Sequence, residues 1–352
     1  MTVHDSITLD RNENRYGPAP ACGDLLRGIE PALLHDYPRD FQNGHYSRLS
    51  QRLAMMHGVD ERRIILGYGC EDILKEAVHH YVGAGDAILV PSASWWYYRA
   101  VADEVGGLTV EYPLVETPTA YRYDLDALLA LRERVPVKLL LIATPNNPTG
   151  NALDRASLRA VLDRYRGVPL LLDQAYFCFN DGERDDYGPL THEYPDLLVL
   201  RSFSKLYALA GARIGYAIAG AGHEHLVKFC SRNLGYNRIS EGLALAALDS
   251  RDYYGRVRGL MAADRALFYT RLRALAGVRV YESEANFVLA RLPEMVVSQL
   301  DAELRRRGFI VKFFREDGFL DCARITLGTR EENAALLDVL QDVLPALLVR
   351  AA

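Results

Sequence analysis

Short apolar segments alternate with helical patterns through the middle of this chain, and this alternation limits the folds available to it. The segments are residues 87–91, 108–112, 138–143, 168–173, 197–202 and 214–219. Unbroken apolar runs of this kind are typical of strands covered on both faces. Between them, stretches such as 153–167 have the pattern of a helix that ends at Gly167. Strands and helices in this order predict an α/β fold with a mostly parallel sheet.

The last third of the chain has a different pattern. Apolar side chains recur at helical spacing between Asp252 and Gly277, which predicts one long amphipathic helix. Strand-like segments and helices then alternate up to a last helix from Arg330, as in a smaller α+β domain. We therefore predict an N-terminal arm (1–31) that packs with the small domain, a large domain (32–245) and a small C-terminal domain (246–352).

The composition narrows the class of protein. The 352 residues are 49% hydrophobic and 25% charged, with a formal net charge of −5; a globular protein that binds neither nucleic acid nor membrane is expected. No apolar run approaches the roughly 20 residues of a membrane-spanning helix. The start of the chain, MTVHDSITLDRNEN, is too polar for a secretory signal. The five cysteines form no CxxC pair, which predicts reduced thiols in a cytoplasmic enzyme and no metal site.

Polar side chains follow three of the predicted strands. They are Asn147 in TPNNPTG, Asp173 and Tyr176 after VPLLL, and Ser202, Ser204 and Lys205 after LLVLR. Ligands of open parallel sheets bind at the carboxyl ends of the strands, where these residues should meet. Each also has an ordinary structural explanation, because prolines around Asn147 make a turn in any case and Asp173 could cap a helix. Their joint occurrence favours a ligand site.

These side chains are the ones that pyridoxal phosphate requires. A lysine amine holds the cofactor's aldehyde as a Schiff base. A carboxylate such as Asp173 keeps the ring nitrogen protonated, so that the ring withdraws electrons. Tyrosine and asparagine donors near the ring oxygen tune the acidity of the imine. The sequence therefore predicts a pyridoxal phosphate site.

The cofactor's phosphate needs hydroxyl groups, an arginine and a helix N-terminus. Candidates for the first two are Ser202, Ser204 and Arg213, all within SFSKLYALAGARIGY. The helix is predicted within GYGCEDILKEAVHHY (67–81). There the glycines at 67 and 69 allow a close approach, and the amides of Cys70 and Glu71 open the helix.

Several segments, in order, resemble the fold-type I aminotransferases of classes I and II. They are NENRYGPAP, GYGCEDIL, TPNNPTG, LDQAYF, SFSKLYALAGARIGY, ANFVLAR and ARITLGTREEN. The resemblance is strongest to histidinol-phosphate aminotransferases and covers the chain from Leu9 to about Leu340. It implies an enzyme that depends on pyridoxal phosphate and acts on an amino donor and a 2-oxo acid.

The resemblance implies a role for each residue of the cofactor site. Lys205 would bind the cofactor and carry the proton that moves during the reaction, while Asp173 would pair with the ring nitrogen. Tyr176 and Asn147 would hydrogen-bond the ring oxygen, and Trp95 would stack on the ring. The phosphate would be held by Ser202, Ser204, Arg213, Gly69, Cys70 and Glu71. Tyr37 would reach the phosphate of a neighbouring subunit, which implies a homodimer with shared active sites.

The resemblance also implies a substrate site, formed by Asn14, Tyr16, Trp95, Asn147, Lys312 and Arg324. Arg324 matches the arginine that binds the substrate's anionic end, and Lys312 stands where an arginine often helps to bind a substrate phosphate. Physical reasoning supports the first assignment, because an arginine within an apolar strand needs a bidentate anion or an internal carboxylate as partner. Both partners remain possible from the sequence alone.

Three kinds of function remain open at this stage. The first is transamination in two half-reactions, which the resemblance favours. The second keeps the cofactor but changes the reaction to that of a decarboxylase, lyase, cyclase or oxidase, because the bond that breaks depends on its orientation to the ring. The third is a non-catalytic regulator, which the presence of Lys205 and Asp173 disfavours.

Overall fold

The computed structural model describes residues 6–179, 186–231 and 234–351. The strands are β1 (Ile7–Leu9), β2 (Ile64–Gly67), β3 (Ala87–Pro91), β4 (Leu108–Tyr112), β5 (Leu114–Glu116), β6 (Tyr121–Tyr123), β7 (Val137–Ala143), β8 (Leu170–Asp173), β9 (Leu197–Ser202), β10 (Gly215–Ala219), β11 (Arg279–Tyr281), β12 (Phe287–Arg291), β13 (Phe309–Phe313) and β14 (Cys322–Thr326). The helices are α1 (Pro20–Arg27), α2 (Arg48–His57), α3 (Cys70–Tyr81), α4 (Tyr97–Glu104), α5 (Leu125–Arg134), α6 (Arg155–Arg164), α7 (Glu224–Phe229), α8 (Arg238–Asp249), α9 (Arg251–Arg273), α10 (Val297–Arg306) and α11 (Arg330–Ala351).

The large sheet has the strand order β2-β10-β9-β8-β7-β3-β4 within the described residues. Strands β4, β3, β7, β8 and β9 run parallel, while β10 is antiparallel to both β9 and β2. The ends of β2 and β9 therefore lie at the same edge as the start of β10, where Gly215 pairs with both Gly67 and Ser202. The predicted α/β fold with a mostly parallel sheet is confirmed.

Successive residues of the central strands face two different apolar layers. In β7, Leu140 and Ile142 pack into one layer, whereas Leu139 and Leu141 pack into the other. Helices α6 and α3 cover these two layers with their apolar faces. The prediction that all six segments are covered on both faces is wrong for 108–112, because this segment is the edge strand β4 and Leu108 is 58% exposed.

The smaller sheet has the order β1-β13-β14-β12-β11 in the described part of the chain. Strand β1 comes from the N-terminus and pairs in parallel with β13, and the other pairs are antiparallel. Helices α9, α10 and α11 contribute Phe268, Leu300 and Leu340 to the apolar layer beside this sheet. The domain boundaries that the sequence suggested stay predictions.

The hairpin β5–β6 joins the two sheets. Leu114 and Tyr121 of the hairpin share an apolar cluster with Tyr281, Leu289 and Phe319 of the small-sheet region. The carboxylate of Glu116 also accepts hydrogen bonds from Arg279, Tyr281 and Arg291. The hairpin therefore fixes the smaller sheet beside the edge of the large sheet where the polar residues lie.

The described residues contain neither a candidate membrane-spanning helix nor a metal-ligating cluster. None of their helices has the length and apolar character needed to cross a membrane. No group of three or more histidine, cysteine, aspartate or glutamate side chains among them could hold a metal ion.

Candidate active site

The predicted polar residues gather at one edge of the large sheet. Asp173 is the last residue of β8 and Ser202 is the last residue of β9. Asn147 lies in the turn that follows β7, and Lys205 follows Ser202 by three residues. The antiparallel direction of β10 brings Arg213, just before that strand, to the same edge.

Asp173 is buried and carries a carboxylate without a cationic partner within 4 Å among the described residues. Its Oδ2 accepts a hydrogen bond from the Tyr98 hydroxyl at 2.7 Å, and its Oδ1 accepts one from the Ala175 amide at 2.9 Å. Burial raises the pKa of Asp173, while these two hydrogen bonds and the charge of Lys205 oppose the rise. A protonated ring nitrogen would give this carboxylate a cationic partner.

Lys205 carries the amine of the site. Its Nζ donates a hydrogen bond to the carbonyl oxygen of Arg11 at 2.9 Å and lies 5.7 Å from the centre of the Tyr176 ring. Burial, followed by the positive charge of Arg324, lowers the pKa of Lys205 to about 8. A substantial fraction of the amine is therefore neutral just above neutral pH, and the neutral amine is the form that attacks an aldehyde.

Tyr176 presents a hydroxyl group next to this amine. The hydroxyl oxygen accepts a hydrogen bond from Nδ2 of Asn12 at 2.8 Å. The ring packs edge-to-face against Phe287 at a centroid distance of 5.2 Å. Burial raises the pKa of Tyr176, so the phenol keeps its proton at neutral pH and can donate it.

The N-terminus of α3 forms a cradle with β10. A Cβ atom at Gly215 would lie 2.3 Å from the Cys70 amide nitrogen, and one at Gly69 would lie 2.8 Å from Nη2 of Arg213. Gly69 also has a φ of +91°, a backbone angle that residues other than glycine rarely adopt. Glycine at both positions therefore leaves the first amides of the helix and the guanidinium open to an anion.

The other members of this cradle are arranged around it. The Ser204 amide donates to the Ser202 hydroxyl oxygen at 3.0 Å, which leaves the hydroxyl proton of Ser202 for another acceptor. Arg213 donates to the Tyr68 carbonyl at 3.1 Å and lies 3.5 Å from the Glu71 carboxylate. Burial raises the pKa of the Cys70 thiol, so that thiol is protonated and contributes its backbone amide rather than a charge.

Arg324 and Lys312 place two positive charges side by side. They occupy paired positions on β14 and β13, so their side chains project from the same face of the smaller sheet. Arg324 donates to Oδ1 of Asn147 and to the Asp10 carbonyl, while its buried Nε finds no hydrogen-bond partner in the described part of the chain. No carboxylate of the described residues lies within 4 Å of its guanidinium, so the internal ion pair considered from the sequence is not formed there.

Trp95 is connected to Asp173 through Tyr98. Its ring packs edge-to-face on Tyr98 at 5.7 Å and 80°, and the Tyr98 hydroxyl bonds Asp173. The neighbouring Trp96 is 59% exposed. Of the two tryptophans, the partly buried Trp95 is thus the one connected to the carboxylate.

The comparison with known proteins decides the family. The family model described as "Aminotransferase class I and II" matches residues 5–340 of this chain. The chain belongs to this family. A curated relative of the aminotransferase is the histidinol-phosphate aminotransferase of Symbiobacterium thermophilum, which is 33% identical over 345 residues, covering 98% of this chain and 92% of that protein.

Solved structures agree with this assignment. The histidinol-phosphate aminotransferase of Sinorhizobium meliloti, in complex with pyridoxal-5'-phosphate, is 26% identical and superimposes with a TM-score of 0.83 over 98% of this chain and 91% of that one. An L-threonine-O-3-phosphate decarboxylase of Porphyromonas gingivalis has a TM-score of 0.78 over 96% and 99% of the two chains. At 21% identity, this second likeness shows the fold alone.

The residues of the aminotransferase suit its cofactor, pyridoxal phosphate. The amine of Lys205 has a lowered pKa, the carboxylate of Asp173 is buried without a cationic partner among the described residues, and the cradle of Gly69 and Gly215 would be filled by any larger residue. These features match the aldehyde, the ring nitrogen and the phosphate in turn. The predicted cofactor and the predicted enzyme class are confirmed, whereas the individual residue roles stay predictions.

In this single chain, two predicted substrate residues of the aminotransferase bond to other groups, and one predicted cofactor residue is exposed. Asn14 donates to the Leu206 carbonyl at 2.7 Å, and the Tyr16 hydroxyl lies 3.3 Å from Oδ2 of Asp264. Tyr37 is 65% exposed. Substrate contact by the first two and cofactor contact by the third remain predictions.

Sequence reasoning missed two residues of this site. Tyr98 holds Asp173, and its place in the aromatic cluster WWYY gives no reason to single it out. Asn12 holds Tyr176 from a position 164 residues earlier in the chain. A signal for Asn12 was present, because it belongs to the same polar stretch, RNEN, as the predicted Asn14.

Proposed function

We propose that this aminotransferase transfers an amino group from an anionic amine to a 2-oxo acid. The observation that carries the proposal is the pairing of Arg324 with Lys312 beside Asn147, together with the buried Nε–H of Arg324, which has no partner among the described residues. A buried guanidinium with unused donors binds carboxylate or phosphate groups, each charged hydrogen bond contributing about 1.5–3 kcal/mol.

The chain's own residues would divide the work as follows. When bound, pyridoxal phosphate supplies an aldehyde for covalent attachment and a ring that withdraws electrons from the substrate's α-carbon. Lys205 would hold the aldehyde through its Nζ, and the same Nζ would carry the proton from the substrate's α-carbon to the cofactor's aldehyde carbon. Asp173 holds the ring nitrogen, Tyr176 donates to the ring oxygen, and Trp95 covers the ring face. The cradle at Cys70 binds the phosphate with Glu71, Ser202, Ser204 and Arg213.

Histidinol phosphate is the first candidate for the amino donor. Curated relatives named histidinol-phosphate aminotransferase support it at 33% identity over nearly the full chain. A phosphate also suits a point charge such as that of Lys312, whereas the planar guanidinium of Arg324 suits a carboxylate or a phosphate. Asn14, Tyr16, Trp95 and Asn147 complete the proposed substrate site.

The test is a panel of donors against the purified yellow protein. Histidinol phosphate, other phosphorylated amines and the common amino acids are each added without a keto acceptor. We expect one anionic amine to convert the bound cofactor fully into its amine form, with the matching aldehyde or keto product, and a 2-oxo acid to restore the original absorption. Release of carbon dioxide or of an elimination product instead would assign the decarboxylase or lyase reaction.

We further propose that the working unit is a homodimer in the cytoplasm. Tyr37 would serve the neighbouring subunit's phosphate, and its 65% exposure leaves the ring free to do so. Other apolar side chains near it in sequence or near the cradle are also exposed, among them Leu34 at 65% and Tyr68 at 47%. Burying such side chains against a second copy would stabilise the dimer.

A further inference from the structure

The N-terminal segment 10–14 lies across the candidate site. The carbonyl oxygens of Asp10 and Arg11 accept hydrogen bonds from Arg324 and Lys205, respectively. Asn12 donates to the Tyr176 hydroxyl. The segment follows β1, whose parallel pairing with β13 fixes where it begins. Asp10 and Arg11 make these contacts with backbone carbonyl groups, whereas Asn12 uses its side chain, and its partner Tyr176 is a predicted catalytic residue.

Asn12 is held firmly from several directions. It is 1% exposed and has a φ of 55°, in the left-handed region that asparagine tolerates better than most residues. Its backbone amide nitrogen donates to Oγ1 of Thr326 at 2.9 Å, and its backbone carbonyl oxygen accepts from Nδ2 of Asn286 at 3.0 Å. Oγ1 of Thr326 in turn donates to Oδ1 of Asn12 at 3.2 Å. Because Oδ1 is an acceptor here, the group that faces Tyr176 is the Nδ2 donor.

The direction of this hydrogen bond determines what Tyr176 can do. A phenol has one proton to donate and lone pairs that accept. Asn12 occupies the acceptor side of the Tyr176 hydroxyl, and no acceptor for the hydroxyl proton is found among the described residues. The proton is therefore available to an oxygen that enters the site. An acceptor at residue 12 would reverse this arrangement and consume the proton.

We propose that Asn12 is a positioning residue that directs the Tyr176 proton onto the ring oxygen of the cofactor. Asn12 does not touch the cofactor in this role but acts through Tyr176. The inference deepens the proposed function, since it rests on the assignment of Tyr176 as the donor to that oxygen. A donor there stabilises the anionic oxygen and so lowers the pKa at which the covalently bound cofactor loses its proton.

The test is a pH titration of the visible absorption of the holoenzyme. Asn12→Gly removes the side chain at a position where glycine fits the left-handed backbone. We expect an upward pKa shift of at most about 1 unit, because the variant weakens the charged hydrogen bond from Tyr176 without removing it. Tyr176→Phe should give a shift of at least that size, and Asn12→Gly should add nothing to it in the double variant. Thr326→Val, which loosens Asn12 without touching Tyr176, should give a smaller shift of the same sign.

Arg11→Gln is the control at the neighbouring residue. It keeps the backbone carbonyl group that accepts a hydrogen bond from Lys205, and the side chain it changes is exposed and makes no hydrogen bond among the described residues. We expect it to leave the cofactor pKa unchanged. We also expect Asn12→Gly to lower kcat while leaving the KM of the amino donor nearly constant. A purely structural role would instead leave the cofactor pKa unchanged and would not change kcat without also changing KM.

The outcomes separate this inference from the proposed function. If Tyr176→Phe shifts the cofactor pKa but Asn12→Gly does not, or if the Asn12→Gly shift persists in the Tyr176→Phe background, the role of Asn12 is refuted and the proposed function stands. If Tyr176→Phe itself gives no shift, the assignment of Tyr176 fails and the inference fails with it. Borohydride reduction and peptide mapping of Lys205 report independently on cofactor attachment.

Discussion

Gly215 lies where β10 passes closest to the start of α3, and one added methyl group there should open the phosphate cradle. A Cβ atom at Gly215 would lie 2.3 Å from both the amide nitrogen of Cys70 and the carbonyl carbon of Gly69. Both are backbone atoms, so no side-chain rotation can relieve the contact. Non-bonded atoms of this kind pack at about 3.5 Å. Gly215→Ala therefore requires the strand and the helix start to separate by about 1 Å.

The cost to phosphate binding follows from this separation. A shift of about 1 Å takes a hydrogen bond of about 2.9 Å beyond bonding range. The amides of Cys70 and Glu71 would each contribute about 1.5–3 kcal/mol to a bound phosphate. Loss of both weakens binding by at least about 3 kcal/mol, which is about 100-fold in Kd. The overpacking should also lower the free energy of unfolding by about 1–3 kcal/mol.

Gly211→Ala provides the control for Gly215→Ala. Gly211 lies four residues before Gly215, a Cβ atom there would meet no atom of the described residues within 4 Å, and its φ is not in the left-handed region. For both variants we would measure the Kd of pyridoxal phosphate, the Kd of pyridoxal without its phosphate, and thermal unfolding of the protein without cofactor. We expect Gly215→Ala to lose about 100-fold for pyridoxal phosphate and much less for pyridoxal. Gly211→Ala should match the unaltered protein in all three measurements.

Two results would refute this reasoning. The first is a folded Gly215→Ala variant that binds pyridoxal phosphate as tightly as the unaltered protein, which would mean that the helix start does not carry the phosphate. The second is an equal loss for pyridoxal and pyridoxal phosphate, which would place the damage outside the cradle.

Three further predictions concern charge and assembly. Arg324→Met should raise the pKa of Lys205 from about 8 towards its ordinary value, because a neighbouring positive charge disfavours the ammonium; the rate of cofactor attachment against pH should shift to higher pH, and an unchanged profile would contradict the coupling. Mixing equal amounts of Lys205→Ala and Tyr37→Ala protein should restore about a quarter of the activity at limiting cofactor, because half of the dimers are hybrids with one complete site; no recovery after verified subunit exchange would argue against a shared site. Burial and then Arg201 lower the pKa of His57 to about 4, so the unfolded chain binds more protons between about 4 and 6.5 and the free energy of unfolding should fall as the pH falls through that window. Urea titrations should show a shallower fall for His57→Gln, and an identical slope would remove His57 from the explanation.

The residues that the sequence could place share one property. Asp173, Ser202 and Lys205 follow unbroken apolar strands, and the carboxyl ends of parallel strands meet at one edge. Local pattern therefore determined both the element and the position of the residue at its end. A local pattern of another kind, apolar side chains at helical spacing, predicted α9 over 252–277, and the helix is observed at Arg251–Arg273.

The features that the sequence could not place depend on pairing between distant segments. Strand β2 has only the four residues IILG, and its position beside β10 follows from the antiparallel return of the chain. Strand β1 has three residues and is a strand only because β13 lies beside it. Neither segment is long enough to carry a periodic signal of its own. Tyr98 was missed for a related reason, since an aromatic residue on the apolar face of α4 indicates core packing until its hydroxyl is seen on Asp173.

The N-terminal segment shows why this difference matters for chemistry. Lys205 and Tyr176 belong to the large sheet region, while Arg324 and Lys312 belong to the smaller sheet. Residues 10–12 make hydrogen bonds to Lys205, Tyr176 and Arg324 and are anchored to the smaller sheet through β1. The distance between the amine of Lys205 and the guanidinium of Arg324, the proposed anion-binding group, is therefore controlled by a segment that supplies none of the predicted catalytic side chains. For this reason a shift of the backbone at residues 10–12 should change the relation between substrate binding and proton transfer more than it changes cofactor binding, which we expect to depend on the opposite end of the site, the proposed phosphate cradle.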